Sequence, residues 1–388
     1  MNDQHTYLCR SPLLCILLLL SFIPIPAGTS QVEYYTPSEN SLLHDMEDHF
    51  LHDHTLIEAA FILSGVTDPD SLQDYLDWYS DLLETIRGFH FDSIDRIGSA
   101  NKVFNYLHGT WLLKYQLEAT TLKDIRNAKK FNCVSATVLF NLICDDLGWP
   151  TDAFETPSHV YTIFQNFTES FRVENTSPIG FNIMKNLEAY SQYLAHFYPE
   201  NQVLQIGLDR LYAYENSRGR LISNTELLGL LAYNRAYFAL KQSRYSEAGA
   251  LVRMARQFNY DSRSNVNFEM NLYNRWSRFL FEKKQYLKAF HVLSEAVARY
   301  PDESTFTINC ISAFKNALRI LWIKKNWPET RGMLNAMLDL GILTDQDFYH
   351  LTDYLTEWEQ YLTAQKKTNE CKEVSTAIKR VSSYLSEP

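Results

Sequence analysis

FNCVSATVLFNLICDDLGWPTDAFETPSHVYTIF, residues 131–164, changes texture half-way. Residues 121–147 predict a helix that holds FNCVSATVLFNLICDDLG, closed by Gly148 and Pro150. From there, Ala153 to Phe164 and Ser170 to Val173 contain short β-prone runs (VYTIF, FRV) parted by polar turns. This is the strand region that the pattern indicates, and from about Asn182 onward it reads as helix. The fold class that follows is an α+β N-terminal domain, mostly helical with a small antiparallel sheet, and then an all-α domain.

Upstream, residues 31–40 are a polar leader. Residues 41–65 carry apolar positions at helical spacing (Leu43, Met46, Phe50, Leu51), and Gly65 ends them. Asp68-Pro-Asp-Ser71 caps a helix over Leu72–Ile86. A further helix starts near Ser93 or Ser99 and runs through KVFNYLHGTWLLKY. Downstream there is an internal repeat. Tyr233-Asn-Arg returns as Tyr273-Asn-Arg, 40 residues on, and Arg244-Tyr245-Ser-Glu-Ala248 as Gln285-Tyr286-Leu-Lys-Ala289. Asn326-Trp327-Pro-Glu-Thr330 is a weaker third copy. Each copy reads as two helices joined by a polar turn and resembles a tetratricopeptide repeat.

At 388 residues the chain has room for two or three domains. A formal charge of −10 excludes a general nucleic-acid binder, which needs a basic patch. Thirteen Gly and twelve Pro are too few for an all-β protein rich in tight turns, and 24 Tyr with 23 Phe suit helix interfaces. Leu13–Ile23 is apolar but too short to span a bilayer. Pro24 and Pro26 follow it, and Gly28 and Ser30 fit a signal-peptidase site. Residues 1–30 therefore read as a signal peptide, with export to a periplasmic or extracellular space and no membrane span after cleavage. Cys133, Cys144, Cys310 and Cys371 remain, too few for a disulfide framework. The first two stand about 16 Å apart on one helix, beyond bridging reach, and a Cys310–Cys371 bridge stays open.

Three residues carry candidate chemistry. Cys133 begins a helix, where unsatisfied N–H groups and the helix dipole favour a thiolate. His159 heads one β-prone run, and Glu174 ends the next. Antiparallel neighbours can hold an imidazole beside a carboxylate, which supports the imidazolium while the imidazole activates the thiol. Asp152 and Glu155 are the other acids near at hand. The Cys133 N–H is the natural oxyanion donor, with the Asn132 side chain as a second.

In order and context these residues resemble the transglutaminase-like superfamily of papain-type cysteine enzymes. Thr55-Leu-Ile-Glu-Ala-Ala-Phe-Ile-Leu-Ser, Asp68-Pro-Asp-Ser-Leu-Gln-Asp-Tyr-Leu and Asn105-Tyr-Leu resemble the opening helices of its SirB1-type branch. In that branch the core is often followed by tetratricopeptide-like repeats. The resemblance implies Cys133 as nucleophile, His159 as base and Glu174 as acid, where the superfamily usually has Asp. It also implies a transglutaminase-like domain at 41–181, after the signal peptide read at 1–30, and a helical connector follows at 182–224. Tetratricopeptide-like repeats follow at 225–335, with C-terminal helices and a tail at 336–388.

The implied activity is acyl transfer through a Cys133 thioester, with no cofactor and no metal, and with a protein or peptide ligand on the repeats. The alternative is a non-catalytic envelope scaffold or protein-interaction module on the same fold. His44, His49, His52 and His54 with Asp45, Asp48 and Asp53 read as a solvated face rather than a metal site. Asn166-Phe-Thr and Asn175-Thr-Ser are glycosylation sequons only in a host that glycosylates. A glycan beside Glu174 fits an active enzyme badly, which points to a bacterial chain.

Overall fold

The computed structural model describes residues 35–385 except 93, 167–169, 184–186 and 197. The signal peptide read at 1–30 lies outside the described residues, as does part of the Asn166 sequon. The chain opens with α1 (Pro37–Asp45) and α2 (Leu56–Leu63) in place of the single helix expected over 41–65. The break has a local cause. The Asp45 carboxylate accepts the backbone N–H groups of His52, Asp53 and His54 at 2.8, 3.0 and 2.9 Å, and His54 Nδ1 lies 2.9 Å away. Burial works against its charge, but these donors hold it well below the ordinary carboxylate value. Among the described residues, no three His, Cys, Asp or Glu side chains converge as a metal would require.

Then come α3 (Pro69–Arg87), capped by Asp68, α4 (Arg96–Thr110), β1 (Lys114–Tyr115), α5 (Leu122–Ala128), β2 (Lys130–Phe131) and α6 (Cys133–Asp146). β1 and β2 pair in parallel. The main sheet holds β3 (Thr151–Glu155), β4 (Val160–Gln165) and β5 (Ser170–Val173). Four short helices follow: α7 (Gly180–Ile183), α8 (Leu187–Ala195), α9 (Glu200–Ile206) and α10 (Leu208–Asn216). The wholly helical reading beyond Asn182 needs one correction. β6 (Arg220–Ile222) returns to pair with β3, giving the antiparallel order β5-β4-β3-β6. Three residues are too few for a periodic signal. β6 is held by register and by Arg220, whose guanidinium reaches Glu155 at 3.1 Å and Glu226 at 2.9 Å.

The rest is antiparallel helix pairs: α11 (Asn224–Lys241) with α12 (Tyr245–Phe258), α13 (Arg263–Glu282) with α14 (Tyr286–Arg299), α15 (Ser304–Lys324) with α16 (Trp327–Leu340), and α17 (Asp345–Ala364) with α18 (Thr368–Ser383). In each turn one residue has left-handed backbone: Ser243, Lys284, Lys325 and Lys366, at φ of 58°, 55°, 53° and 58°. These positions recur every 41 residues, which corrects the 40-residue register suggested by the two Tyr-Asn-Arg triplets. Tyr273 is equivalent to buried Ala232, and Tyr233 to half-buried Asn274. Ala248, Ala289 and Thr330 share one fully buried position. Residues 336–388 hold a further pair in the same phase.

A single apolar core runs from Leu42 to Leu272 and includes α6, the sheet, α11 and α12. Each fully buried Phe in it, such as Phe104, Phe140 and Phe164, contributes about 1.5–3 kcal/mol. A polar seam crosses it. Asn141 Nδ2 donates to Asn224 Oδ1 at 2.8 Å and to the Asp152 carbonyl at 3.0 Å, and Arg235 reaches the Leu63 carbonyl at 2.7 Å. A second core runs from Tyr273 to Val381 along the helix pairs. Cys133, Cys144, Cys310 and Cys371 are all unpaired thiols, so the Cys310–Cys371 bridge does not form. Among the described residues, no helix is long and apolar enough to cross a membrane.

Candidate functional site

Cys133 is the first residue of α6 and is half-buried. Asn132 caps the helix: its Oδ1 accepts the N–H groups of Val134 and Ser135 at 3.0 and 3.1 Å, and Ser135 Oγ accepts the Asn132 N–H at 3.0 Å. The Asn132 amide also donates to the Leu117 carbonyl at 3.1 Å, and Ser135 Oγ donates to the Ala119 carbonyl at 2.9 Å. The thiol-bearing helix end is thereby tied to the segment after β1.

His159 ends the β3–β4 turn. The Thr156 N–H donates to the His159 carbonyl at 2.8 Å, and the His159 N–H donates to Thr156 Oγ1 at 3.0 Å. Glu174 directly follows β5. Antiparallel pairing of β4 and β5, with Thr162 opposite Val173, sets the two side chains together. His159 Nε2 stands 2.7 Å from Glu174 Oε2, with both side chains removed from solvent.

The Glu174 carboxylate is saturated with donors. Oε2 also accepts the Tyr190 hydroxyl at 3.2 Å, while Oε1 accepts the Thr176 N–H at 3.0 Å and its hydroxyl at 2.5 Å. Tyr193 in turn bonds Thr176 Oγ1. Burial disfavours the charge on both partners, yet their mutual attraction and hydrogen bonds prevail. Glu174 falls below its ordinary value, and His159 rises well above its own. Both shifts favour the imidazolium–carboxylate form of the pair. The Cys133 side chain is the other hydrogen-bond partner that raises His159, so the structure brings the predicted Cys, His and acid to one place.

Asp152 and Glu155 are engaged elsewhere. Asp152 accepts from Gln165 at 3.0 Å, and Glu155 faces Arg220, Asn259 and Ser262. Asn175 is fully buried and donates to Thr162 Oγ1 at 2.7 Å, so its sequon is closed to a glycan. His108 lies nearby. Burial lowers it to about 4, against a hydrogen bond to the Asn175 backbone and the Glu174 charge, and its buried Nε2 has no partner among the described residues.

Thr176, Tyr190, Tyr193 and Tyr115 belong to this neighbourhood and are absent from the sequence reading. Burial, followed by the charges of Cys133 and Glu174, pushes the Tyr115 hydroxyl up. Thr176 had a local signal, a hydroxyl two residues after the acid. The tyrosines come from remote helices and strands, where spacing along the chain says nothing.

No protein-family model matches this chain, and no curated protein matches it. A crystal structure of menin, described as revealing the binding site for Mixed Lineage Leukemia (MLL) protein, is similar over 88% of this chain and 91% of that chain. The identity is 12% and the TM-score 0.31, a likeness too slight to assign fold or function.

Proposed function

We propose that the chain is an exported, cysteine-dependent acyl-transfer enzyme with a transglutaminase-like core, which hydrolyses a peptide or amide bond and binds protein through its helix pairs. The observation that carries this is the buried His159–Glu174 pair at 2.7 Å, with Cys133 hydrogen-bonded to the same imidazole. With Nε2 engaged by Glu174, Nδ1 is the nitrogen that serves the thiol. The Cys133 thiolate attacks the carbonyl carbon, the C–N bond breaks, and the leaving amine takes the proton held by His159. A thioester remains. Water then attacks it as His159 takes one of its protons, the C–S bond breaks, and the carboxylic acid leaves with Cys133 again a thiolate beside the protonated His159. The Cys133 N–H at the helix start is the oxyanion donor this mechanism uses. Asn132 serves by capping that helix.

The second reading is the non-catalytic scaffold or protein-interaction module. It is favoured by a groove of about 480 Å³ between α15 and α17, lined by Phe314, Leu318, Trp322, Leu351 and Tyr354. Iodoacetamide labelling near neutral pH, mapped by peptide mass spectrometry, separates the two. The enzyme reading requires Cys133 to label far faster than Cys371, which is also half-buried. Equal rates overturn it and leave the scaffold.

A further inference from the structure

The turn that carries His159 is held from outside the sheet. Thr156 Oγ1 takes the His159 N–H and gives its own proton to Glu215 Oε1. Ser158 Oγ donates to the same oxygen at 2.7 Å. Glu215 lies in α10 and is 1% exposed. Its other oxygen, Oε2, is buried with no hydrogen-bond partner among the described residues. The next residue, Asn216, accepts the Tyr161 hydroxyl at 2.6 Å. α8 supplies Tyr190 and Tyr193 at the Glu174 end. These helices share a small apolar cluster of Tyr161, Ile163, Tyr190, Leu194 and Leu211, distinct from the main core.

A buried carboxylate with one oxygen unpartnered lowers stability, and an apolar residue of similar size would fill the place without that cost. Such breaches of the folding rules gather where function needs them. We infer that Glu215 is a positioning residue: from the stretch read as a connector, it fixes the Thr156–His159 turn and so aims the imidazole at Cys133. Its hold on the site runs through the Thr156 and Ser158 hydroxyls. Two hydroxyl donors on one carboxylate oxygen make charge-assisted bonds, stiffer than a turn hydroxyl finds in water. The inference rests on the reading of His159 as the base.

The test uses the full chain and measures the iodoacetamide rate at Cys133 against pH, with Cys371 as the internal reference. Glu215→Ala removes the acceptor. It is expected to slow Cys133 about ten- to hundredfold and to move its profile toward that of an ordinary thiol, reactive only at alkaline pH. Cys371 should not change. Glu215→Gln keeps an acceptor oxygen and should restore most of the rate that Ala loses. A purely structural role would lower the melting temperature without moving the pH profile. An Ala variant that is folded and has the wild-type profile overturns the inference. If Ala does not fold, Glu215→Asp carries the test: its arm is too short for Ser158, so the slowing should recur, and a wild-type profile there overturns the inference equally. A wild-type Cys133 no faster than Cys371 removes the premise itself, before any variant is made.

Discussion

The Cα of Gly180 closes against the carbonyl oxygen of Glu174, so tightly that a Cβ there would fall far inside van der Waals contact and also meet the Phe104 ring. The Glu174 N–H donates back to the Gly180 carbonyl at 3.3 Å. The chain between them is a closed loop with Thr176 inside. Gly180→Ala must push Glu174 off its place. It should cost about 1–3 kcal/mol by denaturant unfolding and slow Cys133 labelling. Unchanged labelling would mean that the Glu174 carboxylate tolerates the shift.

Cys133→Ala and His159→Ala should each abolish the proposed acyl transfer and leave the circular dichroism spectrum native. Glu174→Gln should be milder in activity, since an amide oxygen can still orient the ring. It should nonetheless destabilise. Each carboxylate oxygen accepts from one N–H and one hydroxyl, so the amide NH₂ must face either the His159 N–H or the Thr176 N–H, which have no lone pair to offer. The expected cost is about 1–3 kcal/mol, read from chemical denaturation. The losses of the three should not add.

Stability should depend on pH in two opposed ways. His159 is raised in the folded state, so its contribution is complete below its ordinary 6.5 and is lost as pH climbs through the folded value. Glu174 is lowered, so its contribution is complete above 4.5 and is lost as pH falls through the folded value. His108 acts against the resulting plateau. It is lowered to about 4, so its contribution is complete above 6.5 and fades toward pH 4. His108→Leu should flatten the decline between those two values, by at most about 3 kcal/mol. Melting temperatures across pH 4–9 check this; an unchanged acid slope in the variant would acquit His108.

Lys284 sits at φ 55° in the α13–α14 turn. A side chain there carries a left-handed penalty that glycine avoids, less the larger entropy glycine loses on folding. Lys284→Gly should therefore stabilise by about 0.5–1 kcal/mol, and Lys284→Val should do the reverse. Paired denaturation curves decide the sign.

Much of this architecture was legible in local patterns. Gly148 and Pro150 mark the end of α6, the β-prone run VYTIF marks β4, and Tyr245 and Tyr286 mark equivalent helix starts. Cys133, His159 and Glu174 could be named because each lies at the end of an element, where a turn or cap exposes its context. What stayed hidden depends on contacts between remote segments. β6 is three residues long and exists through β3. The break between α1 and α2 depends on one carboxylate gathering four donors. Tyr190 meets Glu174, and Glu215 meets the turn that carries His159, from helices whose own periodicity records only their apolar faces. The repeat register slipped by one because the Tyr-Asn-Arg triplets are a looser mark than the turns, where backbone shape rather than residue identity recurs.

The apolar core around α6 is completed by side chains as late as Leu272. During synthesis, 272 − 133 = 139 residues must still be added after Cys133 before those partners exist. At about 5–20 residues per second that takes roughly 7–28 s. Glu215, β6 and α11 are themselves added only in the course of that interval. A chain released early, short of α11, would carry Cys133, His159 and Glu174 and lack part of the core that packs α6.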